Sequence, residues 1–263
     1  MTLADIPTPA LLVDVAALDR NIATMARFFS EGSCRLRPHF KAHKTPDIAR
    51  RQLAAGSCVG LTCATVSEAE IAATFCDDIL IANEIIGADK CERVAALAAG
   101  AGLHGSRNIT IAIDSEEGLK QIANASGAAQ IGILIDINVG QNRCGVAPGG
   151  DALALAARVA AAKGVRLRGV MGYEGHLQPI PDRADRAHKA AAAMNELVAT
   201  AVDRASSGAI VIAAEPTVGA LRAHIARGYV LVRGRVVAEA RSGDELDRAY
   251  KAAIGVGAGA SGH

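Results

Sequence analysis

The stretch RPHFKAHK, residues 37–44, sets one lysine among several cation-capable side chains directly after a short strand-like run. Alternate residues of an extended chain face the same side. We therefore expect four side chains on one face: Arg37, His39, Lys41 and His43. Crowded cations and desolvation favour a neutral amine, which is the form that bonds to an aldehyde. A phosphate-bearing aldehyde cofactor would supply the carbonyl and the missing negative charge, whereas the alternative is a basic patch on an exposed edge strand.

Outward from this stretch, short β-rich runs alternate with amphipathic helical segments. Strands are predicted at 36–41, 58–64, 79–83, 109–114, 132–137, 167–173, 209–213 and 229–236. Helices are predicted at 15–29, 45–54, 66–74, 89–98, 116–123, 151–162, 184–203, 218–226 and 244–254. The strands are apolar on both faces, as buried parallel strands are.

Eight βα units in about 250 residues predict an α/β fold, a TIM (β/α)8 barrel of parallel strands. We expect a single barrel domain over residues 1–254 and a flexible tail at 255–263. A doubly wound open sheet is the alternative, but no G-x-G-x-x-G follows the first strand.

Composition argues against several classes of function. The formal net charge of +1 provides no field for nucleic acid or an anionic membrane. The N-terminus lacks the apolar run of a signal peptide, and no apolar stretch reaches membrane-spanning length. The six cysteines form no C-x-x-C pair, which indicates reduced thiols and a cytoplasmic protein.

Chemistry in such a barrel is placed where strands end and βα loops begin. The predicted strands end near a lysine, an arginine, a tyrosine and a histidine: Lys41, Arg143, Tyr173 and His176. Their convergence on one rim indicates a site for a small molecule.

Six motifs carry a family resemblance: TPALLVD (8–14), RPHFKAHKTPDIARRQL (37–53), VSEAE (66–70), ILIANEIIG (79–87), IDINVGQNRCGV (135–146) and GYEGHLQ (172–178). Over roughly residues 5–200 the chain resembles the D-threonine aldolase and D-serine dehydratase-like family, which are fold-type III pyridoxal-phosphate (PLP) proteins with an alanine-racemase-like barrel. The resemblance implies a TIM barrel and a PLP-dependent lyase. The expected substrate is a β-hydroxy D-amino acid, cleaved to glycine and an aldehyde or dehydrated.

The resemblance also implies roles for individual residues. Lys41 matches the lysine that binds PLP covalently as a Schiff base. His39 is expected beside the cofactor or ordering that lysine. Arg143 is expected to contact the phenolic oxygen of PLP or the substrate carboxylate, and Tyr173 the cofactor or its phosphate. His176 is a candidate acid/base near the substrate hydroxyl.

The last third of the chain departs from the family pattern. AAEPTVGA (213–220) stands where a glycine-rich loop normally binds the phosphate, so we expect amides near Thr217 and Gly219 to take that role. The usual C-terminal β-domain, with its Mn or Zn site, is expected to be missing, and we assign no metal ligands. Alternatives are a PLP-binding carrier or a metal-dependent oxo-acid aldolase. Both a monomer and a homodimer are compatible with the sequence.

Overall fold

The strands and helices follow the predicted alternation. A computed structural model describes residues 6–30, 35–202, 210–214, 229–232 and 235–236. The strands are β1 Arg37–Pro38, β2 Leu61–Cys63, β3 Asp78–Glu84, β4 Asn108–Ile113, β5 Ile131–Ile137, β6 Val165–Tyr173, β7 Ile210–Ala214, β8 Tyr229–Val232 and β9 Arg235–Val236. The helices are α1 Val15–Phe28, α2 Pro46–Ala54, α3 Val66–Ala73, α4 Ala88–Ala99, α5 Glu116–Ser126, α6 Gly150–Ala161 and α7 Arg183–Val202.

The strands form one sheet that closes on itself. From β2 to β8, each strand pairs in parallel with the next one along the chain. Strand β1 meets β2 through parallel bridges between Leu36 and Cys58 and between His39 and Thr62. On its other side β1 pairs with β9. The prediction of an α/β barrel built on parallel strands is therefore confirmed.

Two predicted strands are wrong in detail. The run 36–41 is extended only to His39, because the His39 side chain accepts the N–H of Lys41 and starts a 3-10 turn over Phe40–Ala42. The run 229–236 is two antiparallel strands, β8 and β9, and β9 also runs antiparallel to β1. The prediction passed over Gly234, a residue type common in hairpin turns, which stands between the two strands in the sequence. The predicted helices at 218–226 and 244–254 and the tail at 255–263 lie outside the described residues.

Isoleucine-rich strands form the core. Every residue of β5 is buried, and so are all residues of β4 after Asn108. Full burial of one isoleucine stabilises a fold by roughly 1.5–3 kcal/mol. Three of the described helices begin at a side chain that accepts a backbone N–H group: Asp14 for α1, Thr65 for α3 and Ser115 for α5. These caps fix where the three helices begin.

Arg37 contributes to the framework of the barrel. Its guanidinium forms an ion pair with the Asp78 carboxylate and donates to the Asp78 carbonyl at 3.1 Å. Gly60 makes the room, because a Cβ there would lie 2.3 Å from Arg37 Nη1. Arg37 therefore links β1 to β3 and has a structural role. Among the described helices, none combines the length and the apolar character needed to cross a membrane.

Candidate functional site

Lys41 is carried by a single turn at the rim. The turn is anchored by Phe40, which is almost fully buried, while Lys41 itself is exposed. Within the described part of the chain, the Lys41 amine makes no hydrogen bond and no ion pair. The expectation that Lys41 shares a strand face with Arg37, His39 and His43 is wrong, because the backbone turns at Phe40. The lysine is thus presented on a fixed backbone with its amine available.

His39 orders that turn and carries no charge near neutral pH. It is 6% exposed, and its Nδ1 accepts the backbone N–H of Lys41 at 3.3 Å. Burial, helped by the nearby charge of Lys41, lowers the pKa of His39 to about 4. The side chain is therefore a neutral acceptor that fixes the backbone of Lys41.

His43 repeats the same arrangement. Its Nδ1 accepts the backbone N–H of Thr45 at 3.0 Å, and its Nε2 lies 3.1 Å from Gln52 Oε1. The imidazole is thereby built into the start of α2. Both histidines of RPHFKAHK act on the backbone two residues further along the chain.

Lys44 is paired with a buried carboxylate. Its Nζ lies 2.9 Å from Glu68 Oε1, and Glu68 Oε2 accepts the backbone N–H of Ala64 at 2.8 Å. Burial raises the pKa of Glu68, but the hydrogen bonds from Ala64 and Lys44 outweigh it, so the pKa lies below its usual value. The other cation-capable side chains of residues 37–44 are therefore ion-paired or hydrogen-bonded, which leaves Lys41 as the amine without a partner among the described residues. Strand β1 is paired on both sides, so the exposed-edge alternative is excluded.

The loop after β5 brings Arg143 onto the end of β6. The Arg143 guanidinium lies 5.7 Å from the centroid of the Tyr173 ring, a cation–π distance. That ring lies over the backbone of Gly175, where a Cβ would stand 2.3 Å from Tyr173 Cε1. Asn138 Oδ1 holds the loop by accepting the N–H groups of Gly140 and Asn142 at 3.0 and 3.1 Å.

His176 packs against the same loop. It lies on the 3-10 turn Gly175–Leu177 after β6, and it is exposed. A Cβ on Gly140 would be only 3.1 Å from the His176 imidazole, and Gly140 has a φ of 109° that favours glycine. Arg143, Tyr173 and His176 therefore form one group, whereas Lys41 approaches the rim from β1.

A second cluster of side chains at the rim was not predicted from the sequence. The ligand atoms of Glu84, Asp136 and Cys144 lie within 4.8 Å of one another. The Cys144 thiol donates to Asp136 at 3.3 Å. Burial, with Glu84 and Asp114 nearby, raises the pKa of Asp136 to about 8, and burial raises that of Cys144 to about 11. Glu84, Asp136 and Cys144 offer carboxylate and thiol ligand atoms, and a cation bound there would have to displace the protons of Asp136 and Cys144. Glu84 on β3 and Asp136 on β5 meet because alternate barrel strands share an interior layer, and Cys144 follows in the loop after β5.

The arrangement fits a small anionic aldehyde. An exposed amine without a partner among the described residues offers the covalent bond, while Arg143 and Tyr173 offer a cation and an aromatic face. Thr217 and Gly219, the sequence candidates for phosphate, lie outside the described residues.

Comparison with known proteins relates this chain to enzymes acting on D-amino acids. Residues 13–233 match the family model "Alanine racemase, N-terminal domain". The chain is 38% identical to D-threonine aldolase from an Arthrobacter species over 188 residues, 70% of this chain and 48% of that one. It is 34% identical to 3-hydroxy-D-aspartate aldolase from Paracoccus denitrificans over 206 residues, 76% of this chain and 51% of the relative.

A solved structure agrees with the sequence relatives. The crystal structure of D-threonine aldolase from Filomicrobium marinum matches with a TM-score of 0.73 and 36% identity, covering 81% of this chain and 58% of that one. The chain spans about half the length of the relatives it matches. The family match extends over most of the chain and includes every rim residue described above. This chain belongs to the family of the alanine racemase N-terminal domain.

Proposed function

We propose that this chain forms the PLP-binding barrel of a lyase that acts on a β-hydroxy D-amino acid. The observation that carries the proposal is Lys41, an exposed lysine on a turn whose neighbours are neutral or paired. The relatives support the substrate class, since two of them are named as aldolases of D-threonine and 3-hydroxy-D-aspartate.

Lys41 would hold the cofactor covalently and return a proton to the substrate α-carbon. When bound, PLP supplies an aldehyde for the amine and an electron sink for the carbanion left by bond cleavage. His39 would keep the Lys41 backbone in place and, being uncharged, would add no repulsion to an incoming amine. The ion pair of Lys44 with Glu68 likewise reduces the repulsion between Lys44 and an incoming amine.

Arg143, Tyr173 and His176 would act on the substrate side of the site. The Arg143 guanidinium is a permanent cation with a fork of donors, suited to a carboxylate or a phenolate oxygen. Tyr173 supports that guanidinium with its ring face and would lie against the cofactor. His176 is exposed and would take the proton of the substrate hydroxyl as the bond between the α- and β-carbons breaks. Thr217 and Gly219 stay our candidates for the phosphate.

The wider properties of the protein belong to the same proposal. We assign the barrel to residues 1–254 and a cytoplasmic location, which the free thiols of all five described cysteines support. A monomer and a homodimer both accommodate this site.

Turnover of D-threonine tests the proposed activity. The purified protein with PLP, with and without manganese, should release glycine and acetaldehyde, and Lys41→Met should abolish both products. Binding of PLP without any product from D-threonine, D-serine or 3-hydroxy-D-aspartate would contradict the lyase and favour the carrier. Cleavage of a pyruvate aldol without PLP would favour the oxo-acid aldolase.

A further inference from the structure

Glu68 joins the two segments that flank Lys41 in space. Its Oε1 accepts a hydrogen bond from the Lys44 ammonium, which follows the turn that carries Lys41. Its Oε2 accepts the backbone N–H of Ala64, directly after β2. Its own N–H donates to Thr65 Oγ1 at 3.2 Å. One side chain thus ties the turn after β1 to the start of α3.

An ordinary helix cap does not account for this geometry. In a capping box, the glutamate at the third helical position bonds the N–H of the cap residue itself. Here it bonds the preceding residue and uses its second oxygen on Lys44, across the rim. The Glu68 side chain is only 7% exposed, whereas that of Lys44 is 67% exposed. The buried carboxylate therefore pairs with a residue outside its own helix.

The turn after β1 ends in an unfavourable backbone conformation at Lys44. Lys44 has a φ of 51°, in the left-handed region that non-glycine residues seldom adopt. Its N–H donates to the Phe40 carbonyl at 2.8 Å, which closes the turn around Lys41. Releasing the Lys44 side chain would remove the ion pair that steadies this conformation.

We propose that Glu68 is the positioning residue for Lys41: by holding Lys44 and Ala64, its carboxylate fixes the turn that presents the Lys41 amine. The inference rests on the proposed function, because it assumes that this amine captures PLP. It adds a residue whose carboxylate bonds Lys44 and Ala64 and not the Lys41 amine.

Two variants and a matched control test this role. Glu68→Gln keeps the size and an acceptor for Ala64 but removes the charge that holds Lys44. Lys44→Met removes the exposed partner and leaves the buried carboxylate bonded to Ala64. Glu70→Gln is the control, since Glu70 lies on the same helix and loses a comparable ion pair, to Arg93 at 2.6 Å, away from the turn.

The first readout needs no cofactor. Hydrogen exchange of the backbone amides over residues 40–45 should be faster in Glu68→Gln by about tenfold, the loss of one charged hydrogen bond. Glu70→Gln should exchange like the wild type there. Equal protection in all three proteins would overturn the inference and leave the proposed function intact.

The second readout is the rate of PLP capture, followed by absorbance and borohydride reduction. Glu68→Gln should capture PLP about tenfold more slowly, Lys44→Met about two- to threefold, and the double variant no more slowly than Glu68→Gln. Wild-type rates in both single variants would overturn the inference. A wild-type protein that captures no PLP would instead overturn the proposed function beneath it.

Discussion

His39 Nδ1 accepts a hydrogen bond from the backbone N–H of Lys41, so the residue that looked like a neighbouring cation is a neutral brace for the lysine. The two residues are linked through the backbone of Lys41, and the amine stays outside this bond. The fold therefore separates two tasks within three residues. One side chain sets the backbone, and the other is left for chemistry.

The pKa of His39 predicts an acid-dependent loss of stability. The unfolded histidine has a pKa of 6.5, and the folded one about 4. Between these values the unfolded state binds a proton that the folded state does not, so the free energy of unfolding falls as the pH drops through this window. The full effect is roughly 3 kcal/mol. Urea unfolding from pH 7 to pH 4 measures it.

His39→Asn is the control for that measurement. An asparagine oxygen can accept the Lys41 N–H, yet it does not titrate. In this variant the free energy of unfolding should depend less steeply on pH, because the contribution of His39 is gone. A slope unchanged from the wild type would assign the pH dependence to other groups.

Asp136 predicts a dependence of opposite sign. Its pKa rises from 3.8 to about 8 in the fold, chiefly through burial. The folded state keeps a proton that the unfolded state releases, so this group's contribution to stability falls as the pH rises from about 4 to about 8. Asp136→Asn mimics the protonated form and should have a higher melting temperature than the wild type near pH 8. The exposed Asp151→Asn should leave the melting temperature unchanged.

Gly175 supports the Tyr173 ring and gives a steric test. An added Cβ would meet the ring at 2.3 Å, so Gly175→Ala should displace Tyr173 and loosen its contact with Arg143. We expect a loss of about 1–3 kcal/mol in the free energy of unfolding, together with weaker PLP binding. Gly150→Ala, which meets nothing within 4 Å, should be neutral in both assays.

The ion pair between Arg37 and Asp78 tests the framework. Arg37→Met leaves a partly buried carboxylate without its cation and should lower the free energy of unfolding by about 3 kcal/mol. Arg51→Met breaks an exposed pair with Asp19 and should cost less than about 1 kcal/mol. Chemical denaturation compares the two variants. Equal losses would contradict a structural role for Arg37.

Much of the fold was predictable because its signals are local. Strands that are apolar on both faces and amphipathic helical segments put the predicted bounds of α1, α6 and β6 within two residues of the observed ones. The lysine turn was predicted wrongly because a histidine side chain captured the Lys41 N–H, which the alternation rule ignores.

The parts of the site that sequence reasoning missed depend on contacts across the barrel. The pattern Thr65-x-x-Glu68 could have indicated a capping box, but its link to Lys44 spans 24 residues. Glu84 and Asp136 meet only after β3, β4 and β5 are laid side by side. For Arg143 and Tyr173 the sequence predicted only a shared rim and not their contact, because Arg143 follows β5 whereas Tyr173 ends β6.

The most direct test of the account is to identify the lysine that bonds PLP. The protein is incubated with PLP, reduced with borohydride, digested and mapped by mass spectrometry, beside Lys41→Met and the surface variant Lys120→Met. We predict a single reduced adduct on Lys41, absent in Lys41→Met and undiminished in Lys120→Met. An adduct on another lysine, or none in the wild-type protein, would contradict the central claim.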